Sequence, residues 1–281
     1  MEHRQPDHGP DAGAPGRRRL LIGSAAAAAG GLLPARPGFA TGADPFTLGV
    51  ASGYPGADGF VLWTRLAPVP DRSDGGLGPA DVDVRWEVAE DDAMRRIAAR
   101  GTARATAAFA HSVHVEVAGL AADRPYWYRF AASGRQSRIG RTRTLPRDAV
   151  RPGRFRIAVA SCQNIEHGHF AAYRHLVADR PDLIVHVGDY IYEGTWGRDL
   201  VRPLGLPEAR TLAQYRERHT RYRLDPDLQA AHAAAPWMLV WDDHEVSNDY
   251  ADATPEHLAD AEGFLERRAA AYRAWYEHMP V

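Results

Sequence analysis

Lysine is missing from this 281-residue chain, whose 34 basic residues are all arginine. Against 36 acidic residues they leave a formal net charge of −2, which gives no reason to expect nucleic acid or an anionic membrane as partner. Cysteine occurs once, at Cys162, so no disulfide can form within the chain. No apolar run is long enough to span a bilayer; the candidate near the N-terminus is broken by Gly30, Gly31 and Pro34. What is present is an ordinary globular composition, 45% hydrophobic and 25% charged, long enough for two domains or one large core.

The N-terminus has an order of its own. Arg17, Arg18 and Arg19 precede Leu20, Leu21 and Ile22, then the small-residue run Ala25 to Ala29. A basic start, a mildly apolar middle and small residues near Ala40 or Ala43 read as an export signal over residues 1–43. The consecutive arginines favour the twin-arginine route and its export machinery, which passes folded proteins to the periplasm or beyond. An unpaired thiol in an exported protein calls for a reason. Cys162 is either a small buried hydrophobe or a metal ligand, and its place among Ser161, Gln163 and Asn164 at a strand end favours the ligand.

Residues 44–147 pattern as all-β. Gly49 to Ala67, Val82 to Ala89, Ser112 to Val117 and Tyr126 to Ala131 alternate or carry β-branched and aromatic residues, with Gly- and Pro-containing turns between them. The stretch from Gly119 to Phe130 predicts a tyrosine corner of an immunoglobulin-like sandwich. His111 and His114 fall on opposite faces of a strand and are not expected to share a metal. Pro146 to Gly153 reads as a linker, after which strands alternate with helices over 154–281. Strands are expected at Phe155 to Ala160, Leu183 to Val187 and Trp237 to Val240. Helices are expected at Phe170 to Asp179, Pro207 to Tyr222, Pro226 to Ala234 and Pro255 to His278. The last helix, with Phe264, Leu265, Tyr272 and Trp275, needs more partner surface than three strands offer, so these side chains are expected to be partly exposed.

Each of the three α/β strands stops at polar residues, and ligands in open α/β sheets bind beyond the carboxyl ends of the strands. Cys162 follows the first strand, Asp189 and Tyr192 the second, and Asp242, Asp243 and His244 the third, with Asn248 four residues beyond. Asp189 can bridge two cations, and Tyr192 can return to the same side as a phenolate. Adjacent Asp242 and Asp243 repel unless a cation or arginine neutralises them. His244 is placed to act as a general acid, and Asn248 offers a neutral oxygen suited to calcium. The plainer alternatives are a packed tyrosine and a solvated acidic loop. His186, inside its strand, reads as a satisfied core histidine, and His167 and His169 are left outside the site.

Taken together, Ser161-Cys162-Gln163, Gly188-Asp189-Tyr190-Ile191-Tyr192-Glu193 and Trp241-Asp242-Asp243-His244-Glu245-Val246 resemble the alkaline phosphatase D (PhoD-like) family of calcineurin-like metallophosphoesterases. Gly49-Val50-Ala51-Ser52-Gly53 and Leu62-Trp63-Thr64-Arg65-Leu66 resemble its N-terminal domain. The resemblance implies an immunoglobulin/fibronectin-III-like sandwich followed by an incomplete α/β metallophosphoesterase domain, an N-terminal portion lacking downstream ligands and inactive alone. It implies hydrolysis of phosphate monoesters or diesters by a metal-bound water, with one Fe3+ and one or more Ca2+. Cys162, Asp189 and Tyr192 would bind iron, Asp189 would bridge to calcium, and Asp243 and Asn248 would complete the calcium side. The substrate would be a small phosphate ester, with neither a nucleic-acid scaffold role nor a stable membrane anchor. The competing expectation is a non-catalytic secreted binding protein whose sandwich is the working module.

Overall fold

Two β-sheets organise the computed structural model, which describes residues 43–147 and 153–281; the predicted signal segment lies outside them, apart from Ala43. The first strands are β1 (Val50–Gly53), β2 (Phe60–Arg65), β3 (Val82–Ala89), β4 (Ile97–Ala105) and β5 (Ser112–Val117). They are followed by β6 (Pro125–Ala132), the two-residue β7 (Arg135–Gln136) and β8 (Gly140–Arg143). Strands β3, β4, β6, β7 and β8 pair antiparallel into one sheet, and β1, β2 and β5 lie in the other. Period-two alternation places Val113, Val115 and Val117 of β5 and Tyr126, Tyr128 and Phe130 of β6 in one shared core. The Tyr126 hydroxyl bonds back to the Ala121 backbone, accepting from its N–H at 3.0 Å, which is the contact expected of a tyrosine corner.

Strands β9 (Ile157–Ala160), β10 (Leu183–Val187) and β11 (Trp237–Val240) are parallel and in register. Helices α1 (Ala171–Ala178), α2 (Leu212–Arg223) and α3 (Pro226–Ala234) connect them, and α4 (Phe264–His278) closes the described chain. Local sequence sets the helix starts: Thr211 and Gln214 form a capping box for α2. Asp225 caps α3, with Pro226 in its first turn. The last helix begins nine residues later than expected, because Gly263 takes a left-handed conformation (φ 73°) and interrupts it.

The two halves are not separate sheets. The larger sheet runs β5-β2-β1-β11-β10-β9, so three strands of the N-terminal half continue the α/β sheet. The seam is short: Gly53 pairs with Trp237, and the Tyr54 hydroxyl donates to the Leu239 carbonyl at 2.6 Å. A Cβ on Gly53 would stand 2.1 Å from the Pro280 carbonyl oxygen, so the seam requires glycine there.

Packing within the α/β half corrects the expectation for α4. Phe264 and Trp275 are buried, at 2% and 6% exposure. Leu265 is exposed and Tyr272 half-buried, as expected. Both lie in the core of the α/β half, Phe264 against Tyr250 and Trp275 against Trp241, and only the end of α4 meets the N-terminal strands. Trp63 donates its indole N–H to the Glu277 carbonyl, and His114 contacts the Tyr276 and Met279 carbonyls. Apolar surface is exposed elsewhere, on the sheet face opposite the helices. There Ile157 (58%), Val159 (67%), Val187 (47%) and Val240 (51%) face outward on adjacent strands.

Candidate metal centre

Hydrogen bonds continue past the ends of the strands and fix the loops that follow. The Cys162 N–H donates to the Gly188 carbonyl (3.2 Å) and the Gln163 N–H to the Asp189 carbonyl (3.1 Å). Gln163 is locked in turn: its side-chain amide donates to the Tyr190 carbonyl and its oxygen accepts from Tyr173. Asp189 itself is left-handed (φ 55°), a conformation uncommon for a non-glycine residue. Gly188, with φ 105°, precedes it; a Cβ there would lie 2.4 Å from that of Asp242. The tips of β10 and β11 can approach this closely only through glycine.

Beneath them Glu245 acts as a clamp. Its buried carboxylate accepts from the backbone N–H groups of Asp189 (3.2 Å), Tyr190 and Asp242 (2.7 Å). Burial pushes its pKa up to about 7, against the lowering effect of those donors.

Asp189, Asp243 and His244 offer ligand atoms that lie within 4.8 Å of one another. Asp189 accepts a hydrogen bond from Tyr192 (3.1 Å) through Oδ2, while its Oδ1 is buried with no partner. A buried, unpartnered carboxylate oxygen is costly. Burial raises the Asp189 pKa, countered by the neighbouring His244, the Tyr192 hydroxyl and the Cys162 thiol. Burial and the Asp189 charge together raise that of the Tyr192 phenol. An orphaned carboxylate oxygen beside a second carboxylate, an imidazole, a phenol and a thiol fits a cation.

The structure therefore brings Cys162, Asp189, Tyr192, Asp243 and His244 to one edge. Asn248 is placed differently: its amide nitrogen donates to Asp249 (3.1 Å) and Glu256 (2.9 Å). It lines a cavity of about 300 Å3 with Glu193, Trp196, Glu208 and Glu256. Cys162 lines another of about 540 Å3 with Asn164, His167 and His169. The His167 ring is tied to the Trp196 carbonyl at 2.7 Å.

Sequence reasoning missed the role of Glu193. It is buried, with one oxygen 2.8 Å from His244 Nδ1 and the other accepting from the Asn248 N–H at 2.8 Å. The available signal was its position in the aromatic run Tyr190 to Gly194, where a buried carboxylate must have a partner. The His244 ring also lies tilted by 34° against Tyr192, centroids 4.1 Å apart, and meets Trp196 edge-on.

A β-rich fold with ligand-type side chains gathered at the carboxyl edge of its parallel strands defines an α/β protein with a candidate metal centre. Comparison narrows this. The model of the PhoD-like phosphatase, N-terminal domain, matches residues 31–146, and that of the PhoD-like phosphatase matches residues 157–281. The chain belongs to the PhoD-like phosphatase family. It is 49% identical over 242 residues to alkaline phosphatase D of Bacillus subtilis (strain 168), across 84% of this chain and 41% of that protein. A solved structure of PhoD superposes with a TM-score of 0.83 at 48% identity, covering 88% of this chain and 48% of that one. The chain thus spans less than half the length of either relative.

Proposed function

We propose that this chain is the N-terminal part of an exported, metal-dependent phosphatase acting on small phosphate monoesters or diesters. The observation that carries the reading is the cluster of Asp189, Asp243 and His244 around an unpartnered buried oxygen. Family membership supports a phosphatase, and the basic, small-residue N-terminus supports twin-arginine export. Among the described residues no helix is long and apolar enough to cross a membrane. We read 44–147 as an immunoglobulin-like domain and 154–281 as the first part of a metallophosphoesterase domain.

Cys162, Asp189 and Tyr192 would hold a ferric ion, the thiolate and phenolate suiting its charge. Asp189 would bridge to calcium, with Asp243 and Asn248 on the calcium side. Such ions withdraw charge from phosphoryl oxygens and make a water acidic. The protein's own part is positional. Glu245 fixes the Asp189 backbone, and His244 gives or takes a proton at the leaving oxygen of the ester.

The test joins this chain to the part of Bacillus subtilis alkaline phosphatase D that it does not span and follows hydrolysis of bis(p-nitrophenyl) phosphate and p-nitrophenyl phosphate. Asp189→Asn should cost at least ~100-fold in kcat with the fold intact. Turnover undiminished by that substitution would overturn the assignment.

A further inference from the structure

We infer that Glu193 is a positioning residue that sets the tautomer and orientation of His244, reserving Nε2 for the reaction. The inference rests on reading His244 as a working residue of the proposed phosphatase, and it concerns a carboxylate for which that reading has no other role.

The geometry leaves few alternatives. One Glu193 oxygen accepts the Asn248 N–H, so this end of the carboxyl group is fixed by backbone. The other lies 2.8 Å from His244 Nδ1. An ionised carboxylate only accepts, so the hydrogen between them belongs to Nδ1. Were the carboxyl protonated, it would pass its proton to the more basic imidazole, with the same result at Nδ1. In water a neutral histidine favours a proton on Nε2; here the carboxylate reverses that choice. Aromatic neighbours flank the ring. Tyr192 covers one face at 4.1 Å and Trp196 meets it at 5.1 Å. With Nδ1 occupied, Nε2 is the nitrogen free to accept or release a proton at the substrate oxygen.

Glu193 reaches this position because Tyr190, Ile191 and Tyr192 anchor the loop after β10. The Tyr190 and Tyr192 N–H groups donate to Glu245 and to the Tyr222 hydroxyl, respectively. The pair joins the loop after β10 to the loop after β11, so His244 is oriented by the same segment that delivers Asp189.

Glu193→Gln is the isosteric test. Its single carbonyl oxygen can serve the Asn248 N–H or the His244 ring, but not both. When it serves Asn248, the amide NH2 faces Nδ1 and selects the Nε2–H form. Histidine nitrogens are selectively 15N-labelled in the whole chain, and the His244 signals are identified by their loss in His244→Asn. At a pH high enough to keep the ring neutral, the unaltered chain should show His244 protonated on Nδ1 over Nε2 by about tenfold or more, the preference expected of a hydrogen bond to a charged group. Glu193→Gln should bring the two forms to comparable populations or reverse them, with the other histidine signals unmoved. Glu193→Asp, which keeps the charge, should retain most of the Nδ1–H form. A native His244 carrying its proton on Nε2, or a tautomer ratio unaltered in Glu193→Gln, would overturn the assignment. Phosphate-ester turnover is measured separately in the joined protein. If turnover is absent while the tautomer responds as stated, the phosphatase reading fails and the role of Glu193 stands.

Discussion

At the scale of single residues, the structure gathers Asp189, Asp243 and His244, with Tyr192 bonded to Asp189, and turns the Asn248 amide toward Asp249 and Glu256. What sequence reading could not supply was their support. Cys162, Asp189, Tyr192, Asp243 and His244 are legible because they follow apolar strand runs at the edge where open α/β sheets bind ligands. Glu245 and Glu193 are not, because their importance depends on which backbone N–H and imidazole they meet across loops from different strands. Glu245 is the sharper case, one buried carboxylate holding three N–H groups from two strand tips. Glu245→Gln replaces an acceptor oxygen with a donor and sets an amide against a backbone N–H. Urea unfolding should show a loss of about 1–3 kcal/mol, the cost of leaving a buried polar group unpaired. A loss within experimental error would mean that the clamp is incidental. His186 was expected to be a satisfied core histidine and is only half that. It is fully buried between Trp237 and Tyr190, but neither ring nitrogen has a protein partner.

At the scale of elements, the strands were more legible than their arrangement. Val82–Ala89, Ser112–Val117, Leu183–Val187 and Trp237–Val240 fall where periodicity placed them. By contrast β4, with no large apolar side chain besides Ile97, carried too weak a pattern to be expected. The helices share a property that no single segment reveals: a buried histidine layer where they meet the sheet and one another. His219 of α2 stacks on His278 of α4 at 5.0 Å, and His232 of α3 stacks on Trp237 of β11 at 3.9 Å. Burial is the main cause of their lowered pKa values, reinforced by Arg223 and, for His219 and His278, by Arg65; His219 falls to about 3. In the unfolded chain these rings take up protons below about pH 6.5. The folded protein does not, so the unfolded state binds more protons and stability falls as pH drops from about 6.5 toward 3. Each such ring contributes a slope of about 1.4 kcal/mol per pH unit. His219→Leu should therefore flatten the dependence of unfolding free energy on pH between 6 and 4 by about that amount. An unchanged slope would show that His219 is not neutral in the folded state.

At the scale of the whole molecule, composition and patterning predict two units joined by a linker; among the described residues one six-stranded sheet takes strands from both halves, and β3, β4, β6, β7 and β8 form a second sheet. The reason lies in the short β1–β11 seam. A single pairing at Gly53, made possible by the absence of a side chain, leaves no periodic trace in sequence. Phe264 and Trp275 are buried in the core of the α/β half itself, and the exposed apolar surface lies on the outward face of β9, β10 and β11. The sheet also places the metal-type residues on three neighbouring strand ends, and the central claim is that this edge binds a ferric ion. The most direct test is equilibrium dialysis of the whole chain against a ferric chelate, with metal analysis and a visible spectrum. The account predicts about one retained iron per chain, with a visible band from thiolate and phenolate coordination. Cys162→Ala should shift or bleach that band, and Asp189→Asn should abolish retention. A chain that retains no iron, or one whose iron and colour are unchanged in both variants, would contradict the account.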